Sequence, residues 1–150
     1  MNQITKTLLI CVATLLALGA SDQAMAQNMV VIVNKDNPVS SMKQIEVKLY
    51  YMRKIKQEWP ALGIAVLPAG LSTSNPAKST FLAEIMKMSA SELDAYFKQR
   101  QFANAEPLPA TFSSETELIE YVSKNKGAIA YVSKGAFDSF GNGVKSVLTQ

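Results

Sequence analysis

The stretch that decides the fold is residues 64–81, which have the sequence IAVLPAGLSTSNPAKSTF. Residues 64–67 form a short apolar run that is followed by turn-forming residues, and this predicts a strand. Asn75 and Pro76 then predict the start of a helix, because Asn caps helix N-termini and Pro is favoured at the first helical position. The stretch therefore predicts a strand, a loop and a helix in direct succession, as in α/β proteins.

The loop of this unit carries groups that bind small anions. The first backbone N–H groups of a helix have no partner within the helix, and the helix dipole is positive at that end. Hydroxyls and a lysine one turn into the helix add further donors and a positive charge. The candidate oxyanion-binding residues are Ser72, Thr73, Ser74, Lys78, Ser79 and Thr80. Ser74, Lys78 and Thr80 rank first, since six side chains cannot all face one anion; a simple helix cap without a ligand is the other interpretation.

Three further runs predict strands. Residues 29–34, MVVIVN, form a continuous apolar run that is typical of a strand buried on both faces. Residues 128–132 predict another strand, and residues 144–148 add a last one after a Gly-Asn-Gly turn. The proline-containing segment 102–112 is predicted to be an extended surface crossing.

Helices are predicted between these strands. One spans about residues 40–54, begins at Ser40 or Ser41, and ends in a basic stretch, 53–56, that is expected to be solvated. Its predicted apolar stripe consists of Met42, Ile45, Leu49 and Met52. Capping signals at Ser89 and at Ser113 or Ser114 open two more helices. The succession predicts one α/β domain with a mixed, mainly parallel sheet and helices on both faces.

The first 26 residues have the pattern of a cleavable signal peptide. Lys6 precedes an apolar run that is too short to span a membrane, and Ala24-Met25-Ala26 has the form of a signal-peptidase site. We therefore expect cleavage after Ala26, a periplasmic location, and a mature domain over residues 27–150 with no membrane insertion. The one cysteine, Cys11, lies within the signal, so the mature chain can form no disulfide or Cys metal site.

Composition excludes several classes of function. The chain contains no histidine, which removes the commonest general base and the commonest transition-metal ligand. We find no catalytic constellation, and predict no enzyme activity, no metal site and no cofactor. The net charge of +3 suits a small anionic ligand or an acidic protein surface. Such a modest charge does not require nucleic acid, and export argues against nucleic acid as a partner.

Several motifs, taken in order, resemble the periplasmic phosphate-binding proteins of ABC transporters, and in particular their short, single-lobe members. These motifs include VVIVN at 30–34, Trp59-Pro60, Asn75-Pro76-x-Lys78-x-x-Phe81 and AIAYV at 128–132. The resemblance implies one lobe of a type II periplasmic-binding-protein fold, a bound phosphate or related oxyanion, and a link to phosphate transport. A single lobe cannot close over a ligand, so a second copy of the chain or another envelope or transporter protein would supply the opposite wall.

One departure from the family pattern touches the predicted site. Lys78 stands where related chains usually have Arg, and Arg is the better bidentate partner for phosphate. Two hypotheses therefore remain. The protein is a solute-binding protein for an oxyanion, or it is an interaction or sensory accessory protein of the cell envelope that has kept the fold and lost the ligand.

Overall fold

The chain alternates strands and helices along most of its length. The computed structural model describes residues 28–54 and 57–148, so the predicted signal peptide lies outside the described residues. The strands are β1 (Met29–Asn34), β2 (Glu58–Trp59), β3 (Ile64–Ala65), β4 (Leu67–Leu71), β5 (Ala110–Phe112), β6 (Ala128–Ser133) and β7 (Val144–Ser146). The helices are α1 (Gln44–Tyr51), α2 (Pro76–Phe81), which a π-helical turn (Leu82–Met86) continues, α3 (Ala90–Asn104), α4 (Glu115–Lys124) and α5 (Lys134–Phe140). Among the described residues, no helix has the length and apolar character needed to cross a membrane.

Five strands form the central sheet in the order β5–β4–β6–β1–β7. β4 is parallel to both β5 and β6, whereas β1 is antiparallel to both β6 and β7. Of these five strands, β1 therefore runs against the other four, and the prediction of a mixed, mainly parallel sheet is confirmed. β2 and β3 form a separate small hairpin.

Helices cover both faces of the sheet, as predicted. Val31 and Tyr131 are directly paired across β1 and β6 and so share a face, where the Tyr131 ring stacks on Phe81 of the α2 helix with a centroid separation of 3.8 Å. Asn34 lies on the opposite face, because side chains alternate along a strand. Its amide donates to the Val122 carbonyl of α4 at 3.0 Å.

The core is built around β1 and one buried tryptophan. All six residues of β1 are buried, which confirms the prediction of a strand covered on both faces. Trp59 is fully buried, stacks on Tyr50 with a centroid separation of 4.5 Å, and donates its Nε1–H to the Gly127 carbonyl at 2.9 Å. These contacts fasten the β2–β3 hairpin to the end of α1 and to the start of β6.

The predicted first helix was wrong in its start and its buried face. Helix α1 begins after Lys43 rather than after Ser40 or Ser41, because Met42 forms a bridge with Leu148 that keeps the preceding chain extended. The buried side chains of α1 are Val47, Tyr50 and Tyr51. Of the predicted stripe, Met42 and Met52 are buried but flank α1, whereas Ile45 is 60% exposed.

The boundaries of the decisive stretch also differ from those predicted. Residues 64–67 do not form one strand: Ile64–Ala65 pairs with β2, and the sheet strand is Leu67–Leu71. Pairing with β5 and β6 overrides the low strand propensity of Pro68 and Gly70. Further along, α3 continues to Asn104, so the extended crossing is shorter than expected. Helix α5 was not predicted.

Candidate functional site

Three parallel strands end at one edge of the sheet, and each is followed by the start of a helix. The turn after β4 leads into α2, Ser114 precedes α4, and Ser133 at the end of β6 precedes α5. The side chains of Asn75, Ser114 and Ser133 cap these helices by accepting N–H bonds of 3.0–3.2 Å. The carboxyl edge of parallel strands is the usual ligand-binding edge of α/β sheets, and helix N-termini favour anions there.

A tight turn, Ser72–Asn75, connects β4 to α2 at this edge. The Ser72 N–H donates to the Phe112 carbonyl of β5 at 2.9 Å, and the Asn75 N–H closes the turn on the Ser72 carbonyl at 3.1 Å. The predicted cap is confirmed, because Asn75 Oδ1 accepts from the Ala77 N–H and Pro76 is the first helical residue. Within the described part of the chain, the N–H groups of Thr73 and Ser74 donate to no protein acceptor. The turn therefore presents two backbone donors at its tip.

The side chains of the six predicted site residues differ in their hydrogen bonds and in their surroundings. The hydroxyls of Ser72 and Ser74 lie 2.9 Å apart and hydrogen-bond to each other. Those of Ser79 and Thr80 donate back to the Pro76 carbonyl at 2.8 and 3.2 Å. Thr73, Lys78 and Ser79 line a shallow cavity of about 230 Å³ beside α2, and Ser72, Ser74 and Thr80 do not. The structure thus separates Ser74 and Thr80 from the cavity lined by Lys78.

The α5 side of the edge already holds a carboxylate of the chain itself. Glu115, in the first turn of α4, accepts from both the N–H and, at 3.1 Å, the hydroxyl of Ser133. This carboxylate neutralises the start of α5, so the open donors for a small anion are on the β4–β5 side. Residues 28–54 and 57–148 contain no group of three or more Asp, Glu, Cys or His side chains placed to hold a metal ion.

A partly buried ion cluster next to the end of α1 was not predicted from the sequence. Arg53 was expected at a solvated helix end, but its side chain is only 9% exposed. Its Nη2 donates to the Pro107 carbonyl at 2.8 Å and lies 3.5 Å from Glu106, which also accepts two hydrogen bonds from Arg100. Burial lowers the pKa of Arg53, and the hydrogen bond from Arg100 lowers that of Glu106. The cluster connects the end of α1 to the crossing before β5. Because Arg53 and its partners are far apart in the sequence, no local pattern predicts the contact.

Comparison with known proteins identifies the fold. No protein-family model matches the sequence, and no curated protein matches it. Among solved structures, an ABC-type phosphate transport receptor from Vibrio cholerae is similar, with a TM-score of 0.60 and 17% identity over 80% of this chain and 45% of that chain. PstS from Borrelia burgdorferi is also similar, with a TM-score of 0.62 and 16% identity over 82% of this chain and 47% of that chain.

The chain thus spans a little under half the length of the solved structures it matches. At this level of identity the likeness establishes the fold alone. The chain has the fold of one lobe of a type II periplasmic-binding protein, as the resemblance in the sequence implied.

Proposed function

We propose that this protein is a periplasmic solute-binding-like protein that binds phosphate or a related oxyanion at the Ser72–Asn75 turn and the start of α2. The observation that carries the proposal is the turn itself, which places open N–H donors at the carboxyl edge of the parallel strands, with Lys78 following in α2. The fold supports it, because a phosphate transport receptor shares that fold. A link to an ABC transporter is part of the same proposal.

The hydrogen bonds within the turn and the start of α2 indicate which donors are available to an anion. In the Ser72–Ser74 pair one hydroxyl donates to the other, which leaves one hydroxyl proton for an anion. The N–H groups of Thr73 and Ser74 require no rearrangement. Ser79 and Thr80 would first have to leave the Pro76 carbonyl, so they contribute less. Because the site is exposed, we expect a dissociation constant from about micromolar to about millimolar.

Isothermal titration of the purified protein with phosphate at low salt, with sulfate as the comparison, tests the proposal. We expect saturable binding that Lys78→Met weakens by about 1.5–3 kcal/mol, the range for a hydrogen bond to a charged group. Lys126→Met is the matched control, since it removes the same charge from an exposed residue that precedes β6 at the opposite edge of the sheet. An absence of saturable binding at millimolar phosphate would overturn the proposal.

A second candidate function is an interaction protein of the cell envelope, for which two exposed apolar side chains are the specific observation. Phe102 near the end of α3 is 88% exposed, and Leu108 in the following crossing is 47% exposed. Large exposed apolar side chains serve as anchors in protein interfaces. Light scattering across a concentration series, with and without phosphate, compares the protein with its Phe102→Ser variant. If the wild type is a dimer and Phe102→Ser is a monomer, self-association through this region is supported. If the wild type is a monomer at every concentration, self-association is excluded.

A further inference from the structure

A second cavity, of about 210 Å³, lies between α3 and the β4–β5 pair, on the face of the sheet that α2 covers. Its floor is formed where two tyrosines converge on a glycine. A Cβ atom at Gly70 would lie 2.8 Å from the Tyr51 hydroxyl and 3.0 Å from the Tyr131 hydroxyl. A side chain here would collide with both hydroxyls, so glycine lets the two buried tyrosines come this close to β4, and all three residues line the cavity.

One of these hydroxyls has a proton that no acceptor among the described residues receives. Tyr51 donates to the Ala69 carbonyl at 3.2 Å. Tyr131, by contrast, accepts from the Leu71 N–H at 3.1 Å, and in the described ranges its own proton reaches no acceptor. A tyrosine hydroxyl is protonated at neutral pH, and burial raises the pKa of Tyr131 further, to about 12. A side chain that is 1% exposed thus offers an unused donor at the floor of the cavity.

The wall and the rim of the cavity differ in character. Leu93 and Phe97 of α3 form a buried apolar wall, which Leu108 of the crossing completes. Lys78 and Lys98 stand at the opening, and neither makes an ion pair in the part of the chain that the structure describes. Asp94 also lies there, so the opening carries two positive charges and one negative charge. This arrangement suits a molecule with an apolar body, an anionic head and a polar far end.

We infer that this cavity binds a small organic monocarboxylate whose apolar body is about the size of one ring. The carboxylate would lie between Lys78 and Lys98, the ring would pack on Phe97, and an oxygen at the far end would accept from Tyr131. The volume agrees, since an engineered cavity of about 150 Å³ holds benzene and this one is somewhat larger. The site is separate from the proposed oxyanion turn and shares only Lys78 with it.

Titration with 4-hydroxybenzoate and with benzoate, followed by ¹H–¹⁵N NMR on the whole purified protein, tests this inference. We expect both acids to saturate, and 4-hydroxybenzoate to bind about fivefold more tightly because its hydroxyl accepts from Tyr131. In Tyr131→Phe this fivefold gap should vanish while benzoate binding persists, which shows that the cavity remains intact. A gap that survives in the variant, or no saturation of either acid at about 10 mM, overturns the inference.

A second pair of variants separates this site from the oxyanion turn. Lys98→Met should weaken both aromatic acids by about tenfold and leave phosphate binding unchanged. Ser74→Ala, at a residue of the turn that does not line this cavity, should leave the binding of both aromatic acids unchanged. Loss of phosphate binding alone would refute only the proposed function. Equal binding of the aromatic acids by the wild type and Lys98→Met would refute only the organic-acid site.

Discussion

Replacing Gly70 with alanine tests how tightly the two tyrosines are held at the sheet. The new methyl group would lie 2.8 Å from the Tyr51 hydroxyl and 3.0 Å from the Tyr131 hydroxyl, closer than carbon and oxygen normally approach. Neither ring can move away easily, because Tyr131 is stacked on Phe81 and both tyrosines are at most 3% exposed. The hydroxyls must therefore shift, and with them the hydrogen bonds to Ala69 and from Leu71.

The expected cost follows from these contacts. Overpacking in a core costs about 1–3 kcal/mol, and each weakened hydrogen bond adds up to about 1 kcal/mol. We therefore expect Gly70→Ala to lower the free energy of unfolding by about 2–4 kcal/mol. Urea denaturation followed by circular dichroism measures this difference, and thermal unfolding should show a midpoint lower by about 8–16 °C.

A double-mutant cycle with Tyr51→Phe decides whether the reasoning is right. Removing the Tyr51 hydroxyl removes the closest contact, so Gly70→Ala should cost at least about 1 kcal/mol less in the Tyr51→Phe background. Tyr121→Phe is the control, because its ring lies against Phe112 rather than against the glycine. If Gly70→Ala costs the same in all three backgrounds, the hydroxyl contact is not the cause of the destabilisation.

Two further predictions concern the ion cluster and a helix cap. The Arg100 hydrogen bond holds the pKa of Glu106 below its ordinary value of 4.5. This carboxylate therefore stabilises the fold above pH 4.5, and its contribution is lost as the pH falls through the depressed pKa. Below pH 4.5 the urea midpoint should fall less steeply with decreasing pH for Glu106→Gln than for the wild type, and equal slopes would contradict this. Ser114 accepts from the Glu117 N–H at 3.2 Å, so Ser114→Ala should lower the free energy of unfolding by about 1 kcal/mol. The neighbouring Ser113→Ala removes no cap and should cost little. Equal losses in thermal unfolding would show that Ser114 is not the stabilising cap.

Elements with a strong local signal could be predicted from the sequence. The apolar run of β1 is visible in five consecutive residues, 29–33, and Ser89 with Glu92 forms the capping box that opens α3. Asn75 and Pro76 likewise fixed the start of α2. In each case the residues that decide the structure are neighbours in the chain, so their pattern is sufficient.

Features that depend on distant residues could not be predicted. The start of α1 depends on a bridge from Met42 to Leu148, and β4 persists through Pro68 and Gly70 because two other strands pair with it. The same distinction holds for the candidate sites. The residues of the turn were proposed from one contiguous stretch, whereas the hydrogen bonds from Ser79 and Thr80 to the Pro76 carbonyl were not predicted. The cavity beneath α3 is assembled from several separate elements.

The central position of β1 has a consequence for how the chain folds. β1 is the first strand described, yet its partners β6 and β7 lie about a hundred residues later in the sequence. Closing so long a loop is slow, and the middle of the sheet cannot form until nearly the whole chain has been synthesised. A chain cut short before β7 would expose the unpaired edge of a largely apolar strand around Val33, which is a template for aggregation. Pairing with β7 therefore protects the edge of β1 from association with other chains.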